Sequence, residues 1–144
     1  MKDITVPTKI EVRVAEGRRG VFCTEDLKEG ELIEEAPVVL LDNNKWEECD
    51  SNLLKYLFPW GELRDDWQEF CEEHGGILPI HATRPVMVLG YGMIYDRHVE
   101  YNVEFKLEKK LFACQFIAKC GIKEGEELIL AKNDISDERQ PTKV

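Results

Sequence analysis

Asp96 and Arg97 stand side by side after the glycine-bearing run Leu89-Gly90-Tyr91-Gly92-Met93-Ile94-Tyr95, and Lys132 follows the apolar run Leu128-Ile129-Leu130-Ala131. A carboxylate accepts hydrogen bonds from an ammonium, a guanidinium is a permanent cation that only donates, and desolvation can bring a lysine amine toward neutrality. Charges of both signs tolerate burial when they pair. Gly20, in Gly17-Arg18-Arg19-Gly20-Val21-Phe22, lets the backbone approach a ligand closely or simply closes a hairpin. Metal chemistry finds little support. The five cysteines, Cys23, Cys49, Cys71, Cys114 and Cys120, are an odd number with no CxxC pair, and His74 and His81 have no ligand spacing. No zinc site, no disulfide framework and reduced thiols are the expectation.

The elements that must position these residues come from a chain of 144 residues with 43% hydrophobic content, enough for one domain with one core. The N-terminus has scattered charges and no apolar signal region, and no apolar run is long enough to cross a bilayer. The expectation is an intracellular protein, cytoplasmic or nuclear, away from membranes. A formal charge of -10 disfavours direct nucleic-acid or anionic-lipid binding and eases contact with a basic partner, although acidity also serves solubility alone.

Residues Ile10 to Val14 alternate apolar and charged, and Gly17 to Gly20 separates them from Val21 to Cys23, which predicts a hairpin. A long strand follows from Glu31 to Leu41 and ends at Asp42-Asn43-Asn44. The stretch Leu27-Lys28-Glu29-Gly30-Glu31 recurs as Ile122-Lys123-Glu124-Gly125-Glu126, each with strands on both sides and a glycine suited to the turn. Between them the spacing predicts helices. Trp46, Leu53, Leu54 and Leu57 can share one face, and Leu63, Trp67, Phe70, Cys71 and His74 another, opposite an acidic face of Glu62, Asp65, Asp66, Glu69, Glu72 and Glu73.

Gly17-Arg18-Arg19-Gly20-Val21-Phe22 with its Lys-Glu-Gly-Glu turn, Gly90-Tyr91-Gly92 to Asn102-Val103-Glu104-Phe105, and the second turn before Leu128-Ile129-Leu130 together resemble SET domains in order and spacing, nearest to the small viral and bacterial SET-only proteins. The resemblance implies a mainly β fold with a short helical insert, α+β in class, of β-clip architecture with knot-like threading of the C-terminal segment. The SET domain would span 10–134, after an N-terminal extension 1–9, with a variable helical insert at 45–86 and a tail at 135–144; threading would order Lys132 to about Asp137.

It also implies S-adenosylmethionine as cofactor and a protein lysine as methyl acceptor. Arg19, Gly20 and Phe22 would sit on the cofactor turn, where Arg18 replaces a family glycine and Gly17 is displaced by one. Asp96 and Arg97 fall on the family's Asn-His pair; a one-residue shift would instead bring His98 to the histidine position. Lys132 takes the place of the tyrosine that orients the amine, and a cation there disfavours a neighbouring sulfonium. Tyr56 resembles a tyrosine lining the lysine channel, or is an aromatic at a helix end. Tyr91, Gly92 and Tyr95 would flank the substrate groove, with both tyrosines equally suited to the core.

Three readings follow. The first is a SET fold weak or inactive as an enzyme, without cofactor, with Asp96, Arg97 and Lys132 filling the vacant pocket as an ion-pair cluster, retained to bind a protein or peptide with a basic, lysine-containing segment, or to self-associate as a homodimer. The second is an active protein-lysine methyltransferase with compensating residues. The third is a β-clip-like structural or carbohydrate-binding domain, against which the Gly90-Tyr91-Gly92 to Asn102 spacing counts.

Overall fold

The apolar-charged alternation from Ile10 makes strand β1 (Ile10–Ala15), and Glu16 and Gly17, at φ of 55° and 76°, fold it back into β2 (Arg18–Cys23). Ala15 lies opposite Arg18 and Ile10 opposite Cys23, so two residues make the turn, the length at which positive-φ turns match strand twist. The predicted hairpin is therefore formed. The computed structural model describes residues 6–41, 46, 49–50, 53, 56–73, 75 and 82–132. They fall into two compact units, one drawn from the residues up to Val38 with Val88–Lys132 and the other from those within Val39–Met87.

Nine strands and one α-helix occur among the described residues, a mainly β fold as the sequence implies. The other strands are β3 (Leu32–Leu40), β4 (Phe58–Leu63), β5 (Thr83–Val88), β6 (Asp96–His98), β7 (Val103–Glu108), β8 (Ala113–Ala118) and β9 (Glu127–Ala131), and the helix is α1 (Trp67–Glu73). In the first unit the strands run β1-β2-β9-β7-β8-β3, with β6 joining β9 off this path. β9 is the hub. It is antiparallel to β2 through Val21↔Leu128, parallel to β6 through Asp96↔Ile129 to His98↔Ala131, and parallel to β7 at Val103↔Leu130. The Asn102 side chain reinforces it, donating to the Glu127 carbonyl at 2.9 Å and accepting from the Ile129 N–H at 2.7 Å.

The repeated turns close on each other. Leu27 and Ile122 exchange backbone hydrogen bonds at 2.8 and 2.9 Å, and both are buried. In each turn the final glutamate accepts from the lysine N–H three residues back, Glu31 from Lys28 at 3.0 Å and Glu126 from Lys123 at 2.8 Å. Gly30 and Gly125 sit at φ of 83° and 87°, the left-handed region a glycine enters without a Cβ penalty. Each turn docks on the strand end that precedes the other: Gly30 N–H donates to the carbonyl of Ala118, the last residue of β8, and Gly125 N–H to that of Cys23, the last of β2.

In the second unit the helical expectation holds only in part. Phe58–Leu63 is a strand, antiparallel to β5 with a register shift between Pro59 and Leu63. Aromatic side chains at Phe58 and Trp60, and a proline at 59 that has no N–H to give, suit an irregular edge strand better than a helix. The helix is confined to Trp67–Glu73, burying Phe70 and Cys71 against Ala82. Leu63, expected on that helix face, is an exposed strand residue, and His74 lies outside the described residues. Trp46 and Leu57 do share a core cluster, with the Trp46 indole donating to the Thr83 carbonyl at 2.7 Å. No helix among the described residues is long and apolar enough to cross a membrane.

Candidate functional site

The face of Gly20 is where the first unit gathers charge. Gly20 is buried on β2, and a Cβ added there would run into the Glu127 carboxylate and come within 3.2 Å of Arg18 Nη1. Strand pairing explains the meeting, because Phe22 opposite Glu127 brings the start of β9 alongside β2. Arg18 and Glu127, 109 residues apart in the chain, form a bidentate pair with both N···O distances at 2.7 Å. Arg18 also lies 3.9 Å from an Asp96 carboxylate oxygen. The hydrogen bond and charge of Glu127 push the Arg18 guanidinium pKa up, fixing its positive charge. The Glu127 side chain is 14% exposed, whereas those of Arg18 and Asp96 are near half. A shielded carboxylate thus anchors a more exposed cation over the glycine.

The structure separates the residues that the sequence analysis grouped. Asp96 and Arg97 are successive on β6 and point to opposite faces. Asp96 turns to Arg18, while the Arg97 charge acts on the buried Cys114 thiol. Lys132 is exposed just past β9, its N–H donating to the His98 carbonyl at 3.1 Å. It stands three residues beyond Ile129, the partner of Asp96, or about 10 Å along a strand. His98 is exposed and its Nδ1 accepts from the Glu100 N–H at 3.2 Å. Arg19 is exposed and Phe22 half-buried, with the Arg13 guanidinium 5.2 Å from its ring centre. Tyr56 is half-buried in the second unit.

A second constellation holds the glycine loop. Glu34 on β3 is 2% exposed; one carboxylate oxygen accepts from the Tyr91 N–H at 2.9 Å and the other from the Tyr95 hydroxyl at 2.7 Å. Gly90, at φ of 62°, lies so close that a Cβ would strike Glu34, and one at Gly92 would strike Val88. The loop is thus clamped from strand to turn by a carboxylate that only glycine leaves room for. Burial raises the Glu34 pKa above the usual carboxylate range, against the opposing pull of the two hydrogen bonds. Burial, then the Glu34 charge, raises the Tyr95 hydroxyl well above its ordinary value, and the Cys114 thiol is pushed up to about 12 by the same two causes. Tyr95, expected beside a groove, is 1% exposed and packs its ring 4.8 Å from that of Phe116, in the core. Tyr91 lines a cavity of about 540 Å³ with Glu34, Glu35, Pro37, Gly90, Ile94, Val6 and Pro7. A smaller one of about 210 Å³ is lined by Glu100, Tyr101, Asn102 and Ile129. Neither takes lining from Gly20, Asp96, Arg97 or Lys132.

Glu34 and the Arg18–Glu127 pair were missed by sequence reasoning. A signal for the first exists: Glu34-Glu35 are adjacent acids inside an apolar strand, and both are buried.

A strand-hub fold with paired turns and a clamped glycine loop can be compared with known proteins. The SET-domain profile matches residues 18–131, and the chain belongs to the SET-domain family. No curated protein sequence matches it. Among solved structures, a candidate histone methyltransferase of Plasmodium falciparum is similar at 23% identity and TM-score 0.60, over 89% of this chain and 96% of that one. The methyltransferase domain of human PR domain-containing protein 2 is similar at 13% identity and TM-score 0.56, over 89% and 79%. The Chaetomium thermophilum polycomb repressive complex 2, bound to S-adenosylmethionine, matches at 18% identity and TM-score 0.55 over 90% of this chain and 16% of that one. These likenesses carry the fold; the chemistry rests on the residues above.

Proposed function

We propose that this chain is a SET domain that is weak or inactive as a methyltransferase and is retained to hold a basic, lysine-containing protein segment. The observation that carries the reading is the ion pair over Gly20. A glycine there would leave a methyl donor's backbone contact open, but Glu127 and Arg18 fill that space. S-adenosylmethionine brings a sulfonium and an ammonium against one carboxylate, a net positive charge that the Arg18 guanidinium over Gly20 disfavours. Asp96, the carboxylate that the resemblance sets at the donor's ammonium, lies 3.9 Å from Arg18. Lys132 offers a cation where the family orients an amine. The residues present do not fit that donor as they stand.

Binding of a basic segment is supported by different features. The formal charge is -10, which attracts basic partners over a Debye length. The cavity beside Tyr91 has apolar walls from Val6, Pro7, Pro37 and Ile94, a chemistry suited to the aliphatic stem of a lysine. Free cysteines, two of them half-buried or exposed, fit a reducing compartment, cytoplasm or nucleus.

Fluorescence anisotropy with a labelled lysine-rich peptide and with its fully acetylated form, run beside a radiolabelled methyl-transfer assay, tests the reading. The expected result is salt-sensitive binding of the unacetylated peptide, at least about tenfold tighter than the acetylated one, with no methyl transfer above blank. Transfer of label to peptide lysines, or equal affinity for both peptides, would overturn it.

A further inference from the structure

β1 ends the strand order of the first unit, and among the described residues it pairs with β2 alone. The direction of its free backbone groups can be worked out. Thr24 N–H donates to the Lys9 carbonyl at 2.8 Å, so Lys9 turns its backbone groups toward the β2 side, and alternation gives the same direction to Glu11, Arg13 and Ala15. Ile10, Val12 and Val14 therefore present their N–H and C=O groups away from β2. The edge has none of the usual protection of a bulge or a proline, and Val12 and Val14 are 37% and 73% exposed. Such an edge is a template for another strand.

Its sequence says which strand. Ile10-Glu11-Val12-Arg13-Val14 is complementary to itself when run antiparallel about Val12: Ile10 falls opposite Val14, and Glu11 opposite Arg13. We propose that a second copy of this chain adds to the β1 edge, antiparallel, with Val12 on the two-fold axis. The outward-facing residues 10, 12 and 14 then form the hydrogen-bonded pairs. Glu11 and Arg13 of the two copies form the non-hydrogen-bonded pairs, where facing side chains come closest. Within one chain Glu11 and Arg13 already pair at 2.6 Å on an open surface, so the assembly extends this into a row of four alternating charges. A shift of the axis to Ile10 would set Glu11 opposite Lys9, whose amine is held by Glu31 at 2.8 Å, and a shift to Val14 would leave Glu11 and Arg13 without opposite charges facing them. The contact is isologous and closes at two copies. It is independent of the methyl-donor question.

Sedimentation equilibrium over a wide concentration range tests it on the natural chain and four variants. Val12→Pro removes an N–H that faces away from β2, so it strikes the assembly and leaves the hairpin bonds in place; circular dichroism checks the fold. Glu11→Arg and Arg13→Glu each set like charges face to face at two symmetric places, and the double exchange Glu11→Arg/Arg13→Glu restores opposite ones. The expected result is dimerisation of the natural chain, weakened at least about tenfold by Val12→Pro and by each single exchange, and recovered in the double exchange. A natural chain that stays monomeric throughout, a dimer indifferent to Val12→Pro, or a double exchange no better than the singles would overturn the proposal.

Discussion

Glu34 accepts one hydrogen bond from the part-buried Tyr91 N–H and one from the hydroxyl of Tyr95, which is buried with it. Glu34→Ala leaves the Tyr91 N–H and the Tyr95 hydroxyl without an acceptor, and each unmade buried bond costs about 1–3 kcal/mol. Urea denaturation of this variant is expected to show a loss of about 3 kcal/mol. The carboxyl also leaves a mark on pH dependence. Its folded pKa lies above the unfolded value of 4.5, so the folded state holds the proton more tightly. Stability from this group is greatest in acid and falls as pH rises from the unfolded value through the folded one. Glu34→Gln is expected to flatten that fall, read as the difference between the two stability-pH curves; an unchanged slope would remove Glu34 as its source. At this scale the sequence disclosed positions better than partners. Counting back from Asn102 located Asp96 and Arg97, yet Arg18 as the neighbour of Asp96 depends on which face of β6 each side chain takes. A buried carboxylate likewise looks, in a sequence, like any surface acid.

The two Lys-Glu-Gly-Glu turns were legible because their determinants are local: a glycine at positive φ and a glutamate that returns to the lysine N–H three residues back. Their mutual pairing through Leu27 and Ile122 is long-range, and the repeat only hinted at it. Nothing lies within 4 Å of a Cβ added at Gly30 or Gly125, so Gly30→Ala and Gly125→Ala are expected to cost only backbone strain, about 1–2 kcal/mol each by thermal or urea unfolding. Gly20→Ala is expected to cost more, because Glu127 must move and its pair with Arg18 must break. Equal losses at all three would show that no side chain crowds Gly20. The strand β4 was misread as helix for a physical reason. Apolar residues at helical spacing before it masked the Phe58-Pro59-Trp60 run, in which proline and two large aromatics favour extended backbone.

Across the whole molecule the SET fold is fixed by β9, which receives β2 and β6 on one side and β7 on the other, with Asn102 tying its backbone. The same hub sets Glu127 against Gly20 and carries Lys132 past His98. Fold and charge placement thus come from the same strand, and a sequence that keeps the fold can still close the face a donor would use. Isothermal titration calorimetry with S-adenosylmethionine tests the closed donor face most directly, on the natural chain and on the combined variant Arg18→Gly/Asp96→Asn/Arg97→His/Lys132→Tyr. The account predicts no measurable binding by the natural chain and a gain in the variant; micromolar binding by the natural chain would contradict it.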